Sequence, residues 1–265
     1  PRALALALYG DLDISLIREM PPGRRPVKTR VVDPHNREKA YAFIRDQVKA
    51  GRQVFVICPL IALNNESRIM NQGAAERRSV MDEYEKLSKK IFPDLRVSYL
   101  HGKMKAKDKS EVMKKFAAGE TDILVSTSVV EVGVDIPNAS VMMIEDAENF
   151  GLAQLHQFRG RVGRSGHQSY CFVFSDSEAE SVRKRLAFFE KTANGFTLSE
   201  YDLETRGPGE VYGTEQSGMM RLRLATLADT ELIAVARNLA RGIDFSKYAD
   251  LRKRVEEWEE KVHLE

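Results

Sequence analysis

Arginines at 159, 161 and 164 interleave with glycines at 160, 163 and 166, directly behind Gln157, in the stretch QFRGRVGRSG. A guanidinium keeps its charge at every physiological pH and presents a planar fork that matches phosphate oxygens. The preceding residues, FGLAQLHQ, carry helical spacing, and the glycines end that helix at once. Arg161 and Arg164 are therefore expected on a glycine-flexed turn, free to reach an anion. A single surface arginine is ordinarily a solvated charge. Arginines spaced by glycines behind a glutamine and a helix point to phosphate chemistry.

Nothing else in the chain cradles a nucleotide by a common device. A P-loop needs a glycine-rich turn ending in Gly-Lys-Ser/Thr, whose amides and lysine surround the phosphates. Gly102-Lys103 is followed by Met104 and has no upstream glycine at the required spacing. Gly160, Gly163 and Gly166 are evenly spaced by three and follow a helix, whereas a dinucleotide fingerprint follows a strand. The run VMMIEDAEN (Val141–Asn149) imitates a magnesium-binding strand. Without a P-loop to share the ion, the simpler expectation is a strand end whose carboxylates face a cleft, and no metal-ligand set is assigned. The chain is not expected to be a complete ATPase.

A second set of polar residues follows strand-like runs. Thr127 follows DILVS, and His101, Gly102 and Lys103 follow Leu95–Leu100. Open α/β sheets place their ligands at such strand ends. An exposed glycine amide beside a lysine suits a phosphate oxygen. Lys105, Lys107 and Lys109 continue the series, as a solvated face would.

These residues need a scaffold, and the chain supplies one. Short apolar runs alternate with longer helical ones: strands at Thr29–Asp33, Gln53–Cys58, Leu95–Leu100, Asp122–Ser126, Ser140–Glu145 and Ser169–Phe174, and helices at Asn36–Ala50, Ala75–Lys90, Lys107–Ala118 and Phe150–Arg159. That alternation is the pattern of βαβ units. VFVIC, DILVS and VMMI are almost wholly apolar, as strands covered on both faces must be. The expectation is an α/β fold, a doubly wound, mainly parallel sheet with helices on both faces over residues 28–176. Pro21 to Pro26 read as a linker. Beyond 176 the pattern turns helical: Glu178–Lys191, Thr197–Glu204, a glycine-rich stretch TRGPGEVYGTEQSG, then Ala225–Arg241 and Lys247–Val262.

Composition bounds the function. With 265 residues, 41 basic against 39 acidic side chains and a net charge of +2, the chain is no polybasic binder, so nucleic-acid contact must come from local patches. The two cysteines, Cys58 and Cys171, form no C-x-x-C pair and lie in apolar runs, which fits buried thiols rather than a zinc or redox motif. The apolar stretch Val54–Leu63 contains Pro59 and falls short of the ~18 residues of a membrane span. The chain opens with Pro1 and carries no signal-peptide pattern, and so reads as a piece of a longer protein.

QFRGRVGR resembles motif VI of superfamily-2 helicases. STSVVEVGVDIPNA (Ser126–Ala139) is similar to motif V, and VFVICPLI sits where motif IV would. TRGPGEVYGTEQSG resembles the TRG (translocation) motif, while PRALALALYGDLDIS and PPGRRPVKTR are similar to the segment after motif III in RecG-type helicases. The ordered series covers essentially the whole chain and identifies it as a member of that family: the end of the motif III region and the interlobe linker (1–27), the second RecA-like lobe (28–176), and the TRG hairpin, loop and C-terminal helices (177–265).

The resemblance implies an ATP-dependent DNA helicase, with ATP and Mg2+ bound mainly by a first lobe outside this chain. Arg161 and Arg164 would be arginine fingers, with Gln157 placing the γ-phosphate or the attacking water. Gly133 and Asp135 would approach the nucleotide. Read from its residues alone, Asp135 has a structural alternative as a turn carboxylate before Pro137. Thr127, His101, Gly102 and Lys103 would contact DNA, and Arg206, Glu210 and Gln216 would couple lobe closure to DNA movement. The implied partners are branched or duplex DNA and the first lobe and wedge domain of the same protein, with no membrane and a monomeric state. The implied setting is the bacterial cytoplasm, at the nucleoid, or an organelle. The implied role is remodelling of stalled forks and Holliday junctions in repair and recombination. Val211-Tyr212 and Glu215 depart from the RecG pattern, Glu215 toward the transcription-repair coupling factor, whose duplex translocase is the nearer alternative. A non-enzymatic helicase-like module is the alternative of another class. The chain alone is expected to show no ATPase activity and, at most, weak, salt-sensitive DNA binding.

Overall fold

The computed structural model describes residues 25–59, 72–127, 136–164, 166–195, 197–199, 201–202, 230–248 and 250–255. Gly133, Asp135, Arg206, Glu210 and Gln216 lie outside the described residues. Among the described residues six strands form one sheet: β1 (Lys28–Val32), β2 (Gln53–Ile57), β3 (Val97–Leu100), β4 (Ile123–Ser126), β5 (Ala139–Ile144) and β6 (Tyr170–Phe174). Their order is β1-β6-β5-β2-β4-β3 and every pair is parallel. The mainly parallel sheet expected from the sequence is thus wholly parallel.

Among the described residues five helices belong with the sheet: α1 (Arg37–Lys49), α2 (Gln72–Lys86), α3 (Ala106–Ala117), α4 (Leu152–Arg159) and α5 (Glu180–Lys191). Alternation along the central strands explains their placement. Val54, Val56 and Cys58 share a core with Tyr41, Ile44 and Val48 of α1 and with Val80 of α2. Phe55 points the other way, with its ring 5.0 Å from Phe116 of α3. On that second face Thr29 of β1 meets Arg159 of α4, whose guanidinium lies over the Phe189 ring of α5 at 4.3 Å. A central strand covered on both sides has no polar face, which is why β2, β4 and β5 are buried from end to end. Both cysteines are buried, and burial pushes each thiol up to about 12.

Two elements differ from the expectation. The strand expected from Leu95 begins at Val97, because the Asp122 carboxylate accepts from the Arg96 backbone N–H at 2.8 Å and fixes the entry as a turn. The helix expected to end near Lys90 widens into a π turn over Leu87–Ile91, where the Ser88 hydroxyl donates to the Tyr84 carbonyl at 2.7 Å.

The described residues fall into two compact units, with the division after Leu198. The expected boundary at 176 lies inside the first unit, since α5 packs beside β1. In the second unit, α6 (Thr230–Arg241) is followed by a 3-10 turn at Phe245–Lys247 and by helical residues 250–255. Among the described residues no helix is long and apolar enough to cross a membrane.

Candidate nucleotide and DNA interfaces

The parallel register places the strand ends in a row. Leu100 of β3 pairs with Ser126 of β4, so the next residues, His101 and Thr127, stand side by side. Ile57 of β2 also pairs with Ser126, and the Cys58 N–H donates to the Ser126 carbonyl at 3.0 Å. Ile57 pairs with Ile144 of β5, and Glu145 N–H donates to the Ile57 carbonyl at 2.8 Å. The C-terminal edge therefore runs His101, Thr127, Cys58, Glu145.

Its β3–β4 half brings together the residues expected to contact DNA. His101 and Thr127 are buried, with the His101 imidazole stacked on Tyr99. Gly102 is half-buried and Lys103 exposed, so the amide and ammonium form the surface of this corner. The Lys109 ammonium donates to the Gly102 carbonyl at 2.5 Å and ties the loop to α3.

The β5–β6 half is different. The sequence suggested carboxylates facing a cleft, but Glu145 is buried and engaged. Arg37 Nη1 donates to both Glu145 oxygens at 2.9 and 3.2 Å and to the Tyr41 hydroxyl, while Arg37 Nη2 reaches Asp176 at 3.0 Å. Lys86 adds a contact to Glu145 at 3.8 Å and holds Glu83 at 3.1 Å. Burial alone would lower the Arg37 pKa; the hydrogen bond and charge of Glu145 outweigh it and raise it. Burial, and then the neighbouring Glu145 charge, push Glu83 up to about 7. Asp146 follows in the left-handed region at φ 46°, a conformation Asp tolerates better than most residues, and burial raises its carboxyl. Sequence reading missed this network, since Arg37 and Glu145 are 108 residues apart.

The arginine-rich turn occupies the opposite end of the sheet. α4 starts near the C-terminal strand ends and runs back, stopping at Gly160, whose N–H donates to the His156 carbonyl at 3.0 Å. Gly163 lies against Val27 and Ser169, the residues just before β1 and β6. It has φ +80°, and a Cβ there would stand 2.9 Å from Val27 Cγ2, so both backbone and space require glycine. Strands of four to six residues separate the two ends, about 13–20 Å at 3.3 Å per residue.

The three arginines of the turn do different things. Arg159 is 6% exposed, and donates to the Phe189 and Ala193 carbonyls at 3.1 and 3.2 Å and to the Thr29 hydroxyl at 3.4 Å. Burial lowers its pKa. Arg161 is half-buried, and its guanidinium makes no hydrogen bond or ion pair among the described residues. Arg164 and Gln157 are exposed. Val162 and Phe158, buried on either side, anchor the backbone between them. The structure thus brings Gln157, Arg161 and Arg164 together at the N-terminal edge, apart from the Thr127–Lys103 corner.

Two family models match in chain order: the helicase conserved C-terminal domain over residues 38–166, and domain 3, C-terminal, of the ATP-dependent DNA helicase RecG over residues 192–259. The chain belongs to the RecG family of DNA helicases. It is 45% identical to the ATP-dependent DNA helicase RecG of Thermotoga maritima over 92% of its own length, and 49% identical to that of Aquifex aeolicus over 89%. It spans about 30% of the length of each. A solved structure of RecG bound to a three-way DNA junction matches over 88% of this chain and 29% of that one, at 44% identity and a TM-score of 0.66. The match of the RecG-specific model to residues 192–259 favours RecG over the coupling factor for the helical part.

Proposed function

We propose that this chain is the C-terminal motor lobe of an ATP-dependent DNA helicase that remodels branched DNA in repair and recombination. The arginine turn carries the proposal: Arg159 is committed to the fold, whereas Arg161, two residues on, keeps an unengaged guanidinium at the sheet edge. ATP, when bound, supplies phosphoryl transfer to water. Arg161 and Arg164 fit its anionic end and would stabilise charge on the transferring phosphate, with Gln157 positioning the γ-phosphate or water. Gly133 and Asp135 would line the nucleotide. Among the described residues no group of His, Cys, Asp and Glu is placed to hold a metal ion, and no step here is assigned to Mg2+.

At the other end of the sheet Thr127, His101, Gly102 and Lys103 would hold a DNA strand by its phosphates, and Arg206, Glu210 and Gln216 in residues 177–265 would convert closure into movement. The relatives are named ATP-dependent DNA helicases, and the RecG of the solved structure is bound to a three-way junction. The wedge, the first lobe and a monomeric, bacterial cytoplasmic protein complete the proposal. The test is DNA-stimulated ATP hydrolysis by the full-length protein. Arg161→Ala is expected to lower kcat by about 10³-fold or more while the circular dichroism spectrum is preserved. A loss smaller than tenfold would overturn the finger assignment.

A further inference from the structure

The loop and first turn from His101 to Lys109 read HGKMKAKDK, four lysines against one carboxylate. Lys103, Lys105 and Lys107 are all exposed, and none makes an ion pair among the described residues. Elsewhere several exposed lysines are neutralised by an acid three or four residues away: Lys89 by Glu85, Lys115 by Glu111, Lys184 by Glu180 and Lys247 by Asp244. Asp108 sits in the first turn of α3, where a carboxylate complements the exposed N–H groups of the helix end. It leaves the segment three charges positive.

Lys105 has extended backbone, at φ −61° and ψ 148°, and α3 begins at Ala106. The loop that carries Lys103 and Lys105 is pinned to the helix by the Lys109–Gly102 bond. The ammonium groups therefore project from a fixed base beside the His101–Thr127 corner, not from a loose tail. Met104, the one large apolar side chain in the segment, is half-buried, so the exposed surface of the patch is mainly cationic.

We propose that Lys105 and Lys107 extend the strand-binding corner into a phosphate track, each neutralising one DNA phosphate without regard to sequence. The proposal rests on the reading that the His101–Thr127 corner meets DNA. Each phosphate neutralised on duplex DNA steepens the dependence of log K on log[salt] by about 0.9.

The experiment uses full-length protein and a three-way DNA junction, with affinity measured across a series of salt concentrations. Lys105→Gln/Lys107→Gln is expected to reduce the slope by about 1.8, twice that increment, and Lys103→Gln by about half as much. Lys184→Gln, the same single-charge loss as Lys103→Gln but at a site away from the corner, is expected to leave it unchanged. If the double variant keeps the parental slope while Lys103→Gln reduces it, the track is overturned and the corner stands, leaving the patch to an acidic protein partner. If Lys103→Gln also leaves the slope unchanged, the corner itself fails. If Lys184→Gln lowers the slope equally, the effect is one of net charge and the track is overturned.

Discussion

At the C-terminal ends of the strands, side chains are held by charges of opposite sign; at the N-terminal ends, a turn is held by carbonyl oxygens and by a glycine. Arg37 closes the first region by joining β5, β6 and α1 through Glu145, Asp176 and Tyr41. Arg159 closes the second with hydrogen bonds to the Phe189 and Ala193 carbonyls, the Thr29 hydroxyl and the His156 ring nitrogen. The difference bears on how each end responds to conditions. Ion pairs titrate and their exposed members are screened, whereas a guanidinium bonded to carbonyls does neither in the physiological range. The turn proposed to carry the arginine fingers is built on the second device, and the corner proposed for DNA shares an edge with the first.

Substitutions sharpen this contrast. Glu145→Ala removes the buried carboxylate of the pair and is expected to destabilise this chain by about 3 kcal/mol in denaturant unfolding, at the lower end of the range for broken buried pairs because Arg37 is only half-buried and keeps Asp176. A cost under about 1 kcal/mol would show that the C-terminal edge does not depend on the pair. Arg159→Ala leaves two carbonyls, a hydroxyl and the His156 ring nitrogen to find other partners and is expected to cost about 2 kcal/mol, with a weaker dependence on salt than Glu145→Ala. Equal salt dependence for the two would erase the distinction.

The smallest effect concerns pH. Glu83 binds its proton more tightly in the fold, up to about 7 against an ordinary 4.5. Between those values the unfolded chain holds fewer protons than the folded one, so this group's contribution falls as pH rises through the window and is fully lost above it. Glu83→Gln is expected to flatten that decline and to raise Tm at pH 8 by about 2–4 °C, the equivalent of roughly 1 kcal/mol in a chain of this size. An unaltered pH–stability curve would remove Glu83 from the account.

The sheet was legible because its strands are buried on both faces, which leaves continuous runs such as QVFVI, ILVS and ASVMMI in the sequence. Their spatial order was not, because similar apolar runs leave register and neighbour to tertiary contacts. The arginine turn was legible from its glycines. The division of labour within it was not: Arg159 and Arg161 are the same residue type two positions apart, and only the helix end brought up by α5 distinguishes them. The Glu145 network shows the same limit, with its carboxylates visible in VMMIEDAEN and their cation far away in α1. Gly133, Asp135 and the TRG residues, outside the described residues, rest on motif resemblance alone.

Contact between Gly163 and Val27 has a mechanical consequence. Position 163 has no slack: its backbone hand and its neighbour both forbid a side chain. A push on the chain where it enters the lobe is thus felt two residues from Arg161 and one from Arg164, without passing through the sheet. The chain entry and the turn proposed to carry the fingers therefore meet directly at Gly163.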